Sequence, residues 1–220
     1  MQFPIPGRDY IIYGPCVLHS GWFWFATDHG EAHLLGLLAK FFGRPSLKPW
    51  QKAIISATLE GKNTLVIQST GAGKSLCFQF PCVATKTLTV VLMPTISLIK
   101  DQYQHLEVTG LRTTFLGTLQ TDKSILSRIA QMEFDLVLCT PESFYDSVGT
   151  PKPVFKTLAL QRRIGLIAID EAHLVNSWSS FRYVSSIKTW CCIIPLVFPL
   201  RSCSVSPITL TDQPTDSSRD

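Results

Sequence analysis

Charge is what this sequence has least of. Only 16% of its 220 residues are Asp, Glu, Lys or Arg, where about a quarter is usual in a soluble domain. The apolar excess sits mainly in the first 42 residues and in the tail. A net charge of +4 is too small to argue for a nucleic-acid partner by itself. The seven cysteines (Cys16, Cys77, Cys82, Cys139, Cys191, Cys192 and Cys203) form no C-x-x-C pair and follow no regular spacing, which argues against structural zinc and against a disulfide framework. Cys77, Cys82 and Cys139 lie in apolar segments, so buried free thiols in a reducing compartment are expected. The start, Met1-Gln2-Phe3-Pro4-Ile5-Pro6, lacks the basic region and apolar run of a signal peptide. The apolar run Cys191–Leu200 holds two prolines and is far too short to span a bilayer, so no membrane partner is expected. There is no internal repeat and no basic cluster of the nuclear-import kind. The length suits one domain with a sizeable core.

What is present is more specific. The run Leu65–Ile67 delivers the backbone to Gln68-Ser69-Thr70-Gly71-Ala72-Gly73, and Lys74-Ser75 then opens a helix. Gly71 and Gly73 let consecutive N–H groups curl around one anion, and the helix start adds unpaired N–H groups and a favourable dipole. Lys74 would reach the β- and γ-phosphates of a nucleotide, and the Ser75 hydroxyl would complete a Mg²⁺ shell. The pattern departs from the strict motif at Gln68, where a glycine is usual.

A second element lies far downstream, at Leu166-Ile167-Ala168-Ile169-Asp170-Glu171-Ala172-His173. Four apolar residues carry an acidic pair to the end of a strand, where ligands sit in open parallel sheets. Asp170 is placed to hold Mg²⁺ opposite Ser75. Glu171 could take a proton from the water attacking the γ-phosphate, and His173 could sense that phosphate.

Between these elements strands and helices alternate. Strands are expected at Thr64–Gln68, Leu88–Met93, Asp135–Cys139 and Ile164–Ile169. Helical segments are expected from Lys74 to Phe80, over Ser97–Leu106 and Asp122–Met132, with a turn or two at Glu142–Ser147, and a further helix from His33 to Phe42. Apolar strands separated by helices imply an α/β fold, a mainly parallel sheet covered on both faces through right-handed crossovers.

Together these residues resemble a superfamily 2 helicase, and the surrounding segments are similar to RecQ-like DNA helicases. Phe41-Phe42-Gly43 and Leu47-Lys48-Pro49-Trp50-Gln51 resemble that family's adenine-reading motif. The resemblance gives Gln51 the pairing with adenine and Lys48 the stacking role, where the family usually has an arginine with its planar guanidinium. Pro94-Thr95-Ile96-Ser97-Leu98-Ile99-Lys100-Asp101-Gln102 and Thr140-Pro141-Glu142-Ser143 resemble DNA-backbone contacts, through Thr95, Lys100 and Thr140. Trp178-Ser179-Ser180-Phe181-Arg182 resembles the aromatic-rich loop that couples strand binding to hydrolysis, with Trp178, Phe181 and Arg182 on single-stranded DNA. In this chain that loop has Ser179 in place of a glycine and is one residue short.

The resemblance implies a RecA-like P-loop NTPase domain over residues 40–182. Residues 1–39 are expected to be a leader, and 183–220 a non-homologous, disordered or aberrant tail. The tail predicts a truncated or mis-spliced product whose homology ends near Arg182. In the intact family, ATP and Mg²⁺ drive 3′-to-5′ translocation on single-stranded or forked DNA, in repair and recombination, in the nucleus of a eukaryote or otherwise the cytoplasm. Unwinding needs a second motor domain, for which no candidate segment is visible, so the rival reading is a non-catalytic ATP- or nucleic-acid-binding fragment. A P-loop kinase is disfavoured by the acid box and the glutamine motif, and an RNA helicase by the aromatic loop.

Overall fold

A computed structural model describes residues 11–13, 28–62, 64–146, 150–171 and 201–207. The strands are β1 (Ile11–Tyr13), β2 (Thr64–Gln68), β3 (Leu88–Leu92), β4 (Thr113–Leu116), β5 (Leu136–Cys139), β6 (Ile164–Ile169) and β7 (Arg201–Pro207). The helices are α1 (Asp28–Phe42), α2 (Pro49–Leu59), α3 (Leu76–Thr85), α4 (Ile96–Glu107), α5 (Ile125–Ala130), α6 (Pro141–Phe144) and α7 (Pro153–Leu160). The seven strands form one sheet in the order β1-β2-β7-β6-β3-β5-β4. Every pairing in it is parallel, so all strands end on the same edge.

The alternation of side chains along the strands builds two cores. Leu88, Val90 and Leu92 of β3 and Val137 and Cys139 of β5 face one side, where Ile125, Ile129, Phe144, Phe155 and Leu158 of α5, α6 and α7 cover them. Val91 of β3, Leu136 and Leu138 of β5, and Leu166 and Ala168 of β6 face the other, under Ile54 of α2, Phe78 of α3 and Ile99 and Leu106 of α4. A third layer joins Leu34 and Leu38 of α1 to Ile55 and Leu59 of α2 and Phe80 of α3. Burial on both faces explains why β3, β5 and β6 read as continuous apolar runs.

The alternation breaks once, at Gly165. Leu88 registers with Ile164 but Thr89 with Leu166, so Gly165 is the extra residue of a bulge, and Ile164 comes to share a face with Ile167 and Ile169. A Cβ at Gly165 would lie 1.9 Å from Thr87 Oγ1 and 2.9 Å from Thr87 Cβ.

Two elements stand apart from the sequence expectation. Arg201–Pro207, inside the stretch expected to be a disordered or aberrant tail, forms β7 between β2 and β6, with Thr64 opposite Cys203 and Ile169 opposite Ser204. Its sequence has no apolar run; partner strands on both sides supply the ladder, and local propensity is a weak guide to such pairing. The expected boundary between residues 39 and 40 falls inside α1. Among the described residues, no helix is long and apolar enough to cross a membrane.

Cys77, Cys82 and Cys139 are buried and, among the described residues, take part in no disulfide. Burial pushes the Cys82 thiol up to about 12, and it raises Cys139 as well. Below the ordinary thiol range both folded and unfolded chains keep these protons. Above it the unfolded chain releases them first, so stability is full below about pH 9 and falls as pH rises toward the folded value. The expected slope is about 1.4 kcal/mol per pH unit for Cys82. Urea melts at pH 8 and pH 10 check this, and Cys82→Ser should flatten the alkaline limb.

Candidate nucleotide site

The carboxyl ends of β2, β6, β3 and β5 present the motif residues along one edge. After β2 the chain turns through Ser69–Lys74, with Gly71 at φ 76° and Gly73 at φ 92°, conformations that favour glycine. Ala72 N–H turns back to Ser69 O at 3.2 Å, while Cys77 and Phe78 close the first turn of α3 on the carbonyls of Lys74 and Ser75. Among the described residues, the amides of Gly73, Lys74 and Ser75 have no backbone acceptor, which is the donor set an anion at a helix start requires. Lys74 Nζ sits on Gln68 O at 3.1 Å and Ser69 O at 3.0 Å. An ammonium held by neutral carbonyls is free to exchange them for phosphate oxygens.

The loop is held from α2. Gln51, only 2% exposed, donates from Nε2 to Gly73 O at 2.9 Å and accepts at Oε1 from Lys48 N–H at 2.9 Å. Lys48 Nζ donates to Ala72 O at 2.9 Å. The two residues expected to meet adenine are thus gathered against the phosphate loop. A Cβ at Gly73 would come 3.0 Å from Gln51 Nε2, so this position is closed to side chains by space as well as by φ.

Asp170 follows β6. Its N–H donates to Leu92 O at 2.9 Å, which fixes it to the end of β3, and it is 8% exposed. Across β7, Leu65 of β2 and Ile169 of β6 both register with Ser204. Asp170 is therefore level with Val66, two strand spacings or about 10 Å away, with the loop rising from β2 above it. Ser75 Oγ and a carboxylate on this edge suit a hard cation that prefers oxygen ligands. Glu171 adopts φ 52°, and its N–H donates to Asp170 Oδ1 at 3.0 Å.

A left-handed glutamate is strained, and such strain gathers at functional positions. Glu171→Gly is expected to raise stability by about 1 kcal/mol by relieving it. The same change should lower any nucleotide hydrolysis by about 10²-fold or more, because the candidate base is gone. Denaturant melts and phosphate release measured on one preparation check both.

On the neighbouring strand ends, Thr95 caps α4, accepting from Leu98 N–H at 3.4 Å, and both Thr95 and Lys100 are exposed. Thr140, before α6, is buried, with its hydroxyl paired to Ser143 Oγ at 3.0 Å. His173, Trp178, Phe181 and Arg182 lie outside the described residues. One neighbour of the site was left without a role by sequence reasoning: Gln102 of α4, whose Nε2 lies 3.5 Å from Ser75 Oγ. It closes the segment Pro94–Gln102, and no spacing rule marks it.

A parallel sheet carrying a phosphate loop and an acidic strand end on one edge defines the class, that of P-loop α/β domains. The DEAD/DEAH box helicase family matches residues 48–196, which runs past Arg182, where the sequence resemblance was expected to stop. The bifunctional 3′-5′ exonuclease/ATP-dependent helicase WRN of Mus musculus is 34% identical over 173 residues, covering 76% of this chain and 12% of that protein. The ATP-dependent DNA helicase RecQ of Haemophilus influenzae is 34% identical over 152 residues, 66% of this chain and 23% of that protein. Among solved structures, the DUF1998 helicase MrfA bound to DNA and AMPPNP shares the fold with a TM-score of 0.60 at 18% identity, over 80% of this chain and 26% of that one. The chain belongs to the DEAD/DEAH box helicase family, and its relatives are of the RecQ type. It spans 12% and 23% of the length of the two curated relatives named.

Proposed function

We infer that residues from α2 through β7 form the first, ATP-binding motor domain of a RecQ-like DNA helicase, whose complete form moves 3′ to 5′ and separates strands. The observation that carries this reading is the shared sheet edge. It puts the Gly71–Ser75 loop, Asp170–Glu171 and the exposed Thr95 at the strand ends of one layer, with the exposed Lys100 just over a turn into α4.

The loop amides and Lys74 bind the phosphates, and Ser69, Thr70 and Ala72 shape the turn around them. Ser75 and Asp170 hold Mg²⁺, which supplies charge neutralisation at the transferring phosphoryl group. Glu171 orients the attacking water and accepts its proton. Gln51 keeps one N–H and one lone pair beyond its two bonds, enough for the two-point contact an adenine edge offers, and Lys48 lies beside it. Thr95, Lys100 and the Thr140 strand end meet the DNA backbone, where each neutralised phosphate makes binding more salt-sensitive. His173 senses the γ-phosphate, and Trp178, Phe181 and Arg182 stack and pair with the unpaired strand. Such a role places the protein on DNA in repair or recombination, in the nucleus if the source is eukaryotic.

An arginine supplied from a second motor domain contributes about three to five decades of rate in this chemistry. The 220-residue chain is therefore expected to bind Mg·ATP weakly, turn it over slowly and unwind nothing. The test is phosphate release by the purified chain, with and without single-stranded DNA, against Lys74→Ala. DNA-stimulated turnover that disappears in Lys74→Ala supports the reading. Nucleotide binding with no turnover above that blank, in a folded protein, reduces the chain to a binding unit. Absence of nucleotide binding removes the reading altogether.

A further inference from the structure

Helix α4 has two working faces. Lys100 and Gln102 are two residues apart, about 200° around a helix. Lys100 is exposed and Gln102 half-buried, so one looks outward from the domain while the other reaches toward the phosphate loop. Gln102 Oε1 accepts from Gln79 Nε2 at 3.1 Å, and Gln102 Nε2 stands 3.5 Å from Ser75 Oγ. Gln79, 9% exposed, also donates its backbone N–H to Ser75 O at 3.0 Å. Ser75 is thus held at its carbonyl by Gln79 and addressed at its hydroxyl by the side chain that Gln79 steadies.

The distances make this pair sensitive to position. At 3.5 Å the Gln102–Ser75 contact stands at the outer limit of a hydrogen bond, where strength changes steeply with separation. A movement of α4 by a few tenths of an ångström makes it or breaks it. The firmer 3.1 Å bond to Gln79 keeps the amide aimed at Ser75 meanwhile. Because its oxygen is committed to Gln79, the Gln102 amide addresses the Ser75 hydroxyl as a donor.

We propose that Gln102 is a positioning residue that transmits strand binding on the outer face of α4 to the Ser75 hydroxyl, and so couples DNA affinity to Mg·nucleotide affinity. The inference rests on the reading of the loop as an ATP site and of α4 as a DNA contact. It adds the route between them, through one side chain that touches neither ligand.

The test measures the affinity of the full 220-residue chain for a methylanthraniloyl-labelled, non-hydrolysable ATP analogue. It is measured with Mg²⁺, in the presence and absence of single-stranded oligothymidylate. Wild type is expected to show a ratio of about fivefold or more between the two conditions, the lower range of ordinary coupling, and a Mg²⁺ midpoint that shifts when DNA is added. In Gln102→Ala the ratio should fall to within about twofold of one, as expected when a coupling contact is lost, and the Mg²⁺ midpoint should no longer respond to DNA. Gln79→Ala should lower the ratio in the same direction. If Gln102→Ala fails to fold, Gln102→Asn, one methylene shorter, is judged by the same criterion.

A folded Gln102 variant that keeps the full ratio overturns the proposal, as does a wild-type chain that binds both ligands with no coupling. A wild-type chain that binds no Mg·nucleotide instead overturns the function on which the proposal rests, and so the two failures are distinguishable.

Discussion

Lys74→Ala is expected to weaken Mg·ATP binding by about two orders of magnitude or more, with almost no change in the stability of the fold. Truncating one partner of a hydrogen-bonded charge pair costs about 2–5 kcal/mol, and each 1.4 kcal/mol is tenfold in affinity. Among the described residues, Lys74 Nζ has only the Gln68 and Ser69 carbonyls, at 3.1 Å and 3.0 Å, and it is half-buried. Removing it leaves no charge unpaired in the core. Stability should therefore stay within about 0.5 kcal/mol of wild type, as for ordinary surface changes. Fluorescence titration of a nucleotide analogue and a thermal melt decide the matter together. A loss of affinity below threefold would show that the loop does not use Lys74 on phosphate, and a large fall in melting temperature would give Lys74 a structural role instead.

The second large effect is on the fold and is remote from the site's chemistry. Gly165→Ala is expected to destabilise by about 2–3 kcal/mol, at the upper end of overpacking, which lowers the melting temperature by roughly 4–12 °C in a domain of this size. The added Cβ would meet Thr87 Oγ1 at 1.9 Å and Thr87 Cβ at 2.9 Å. Rotating Thr87 clears the hydroxyl but not the Cβ. Rotation also gives up the Thr85–Thr87 hydroxyl pair at 2.6 Å. Because the bulge at Gly165 sets the register between β3 and β6, a shift there is carried along β6 toward Asp170. The check is a double-mutant cycle with Thr87→Gly by urea unfolding. In the Thr87→Gly background the alanine should cost much less, and equal cost in both backgrounds would locate the strain elsewhere.

Several elements were legible in the chain itself because their cause is local. Leu88–Met93, Asp135–Cys139 and Ile164–Ile169 read as strands from apolar runs, and the structure forms β3, β5 and β6 there, adjacent in the sheet. Helix α4 was expected over Ser97–Leu106 and spans Ile96–Glu107, with Thr95 found as its cap. Other elements were not legible. Thr113–Leu116 is short and mixed in polarity, and it is a strand because β5 pairs with it. Pro153–Leu160 carries Pro at its first position, a start signal that the surrounding motifs overshadowed. Arg201–Pro207 has serine at every second position over much of its length and still occupies the middle of the sheet.

For the candidate site, residue types and their order are what point to the chemistry. Gly71, Gly73, Lys74 and Ser75 at a strand-to-helix turn, with Asp170-Glu171 at a later strand end, are enough to call for a phosphate, a cation and a base, because loop conformation and helix polarity follow from adjacent residues. Which groups meet was decided only by the tertiary structure. The sheet order sets β7 between the loop strand and the acidic strand. The α2 packing brings Gln51 and Lys48 onto the Gly73 and Ala72 carbonyls. The α4 packing brings Gln102 to Ser75. These contacts join residues 22 to 27 positions apart, a range over which no backbone period or turn rule carries information, so only the burial of shared apolar faces could bring them together.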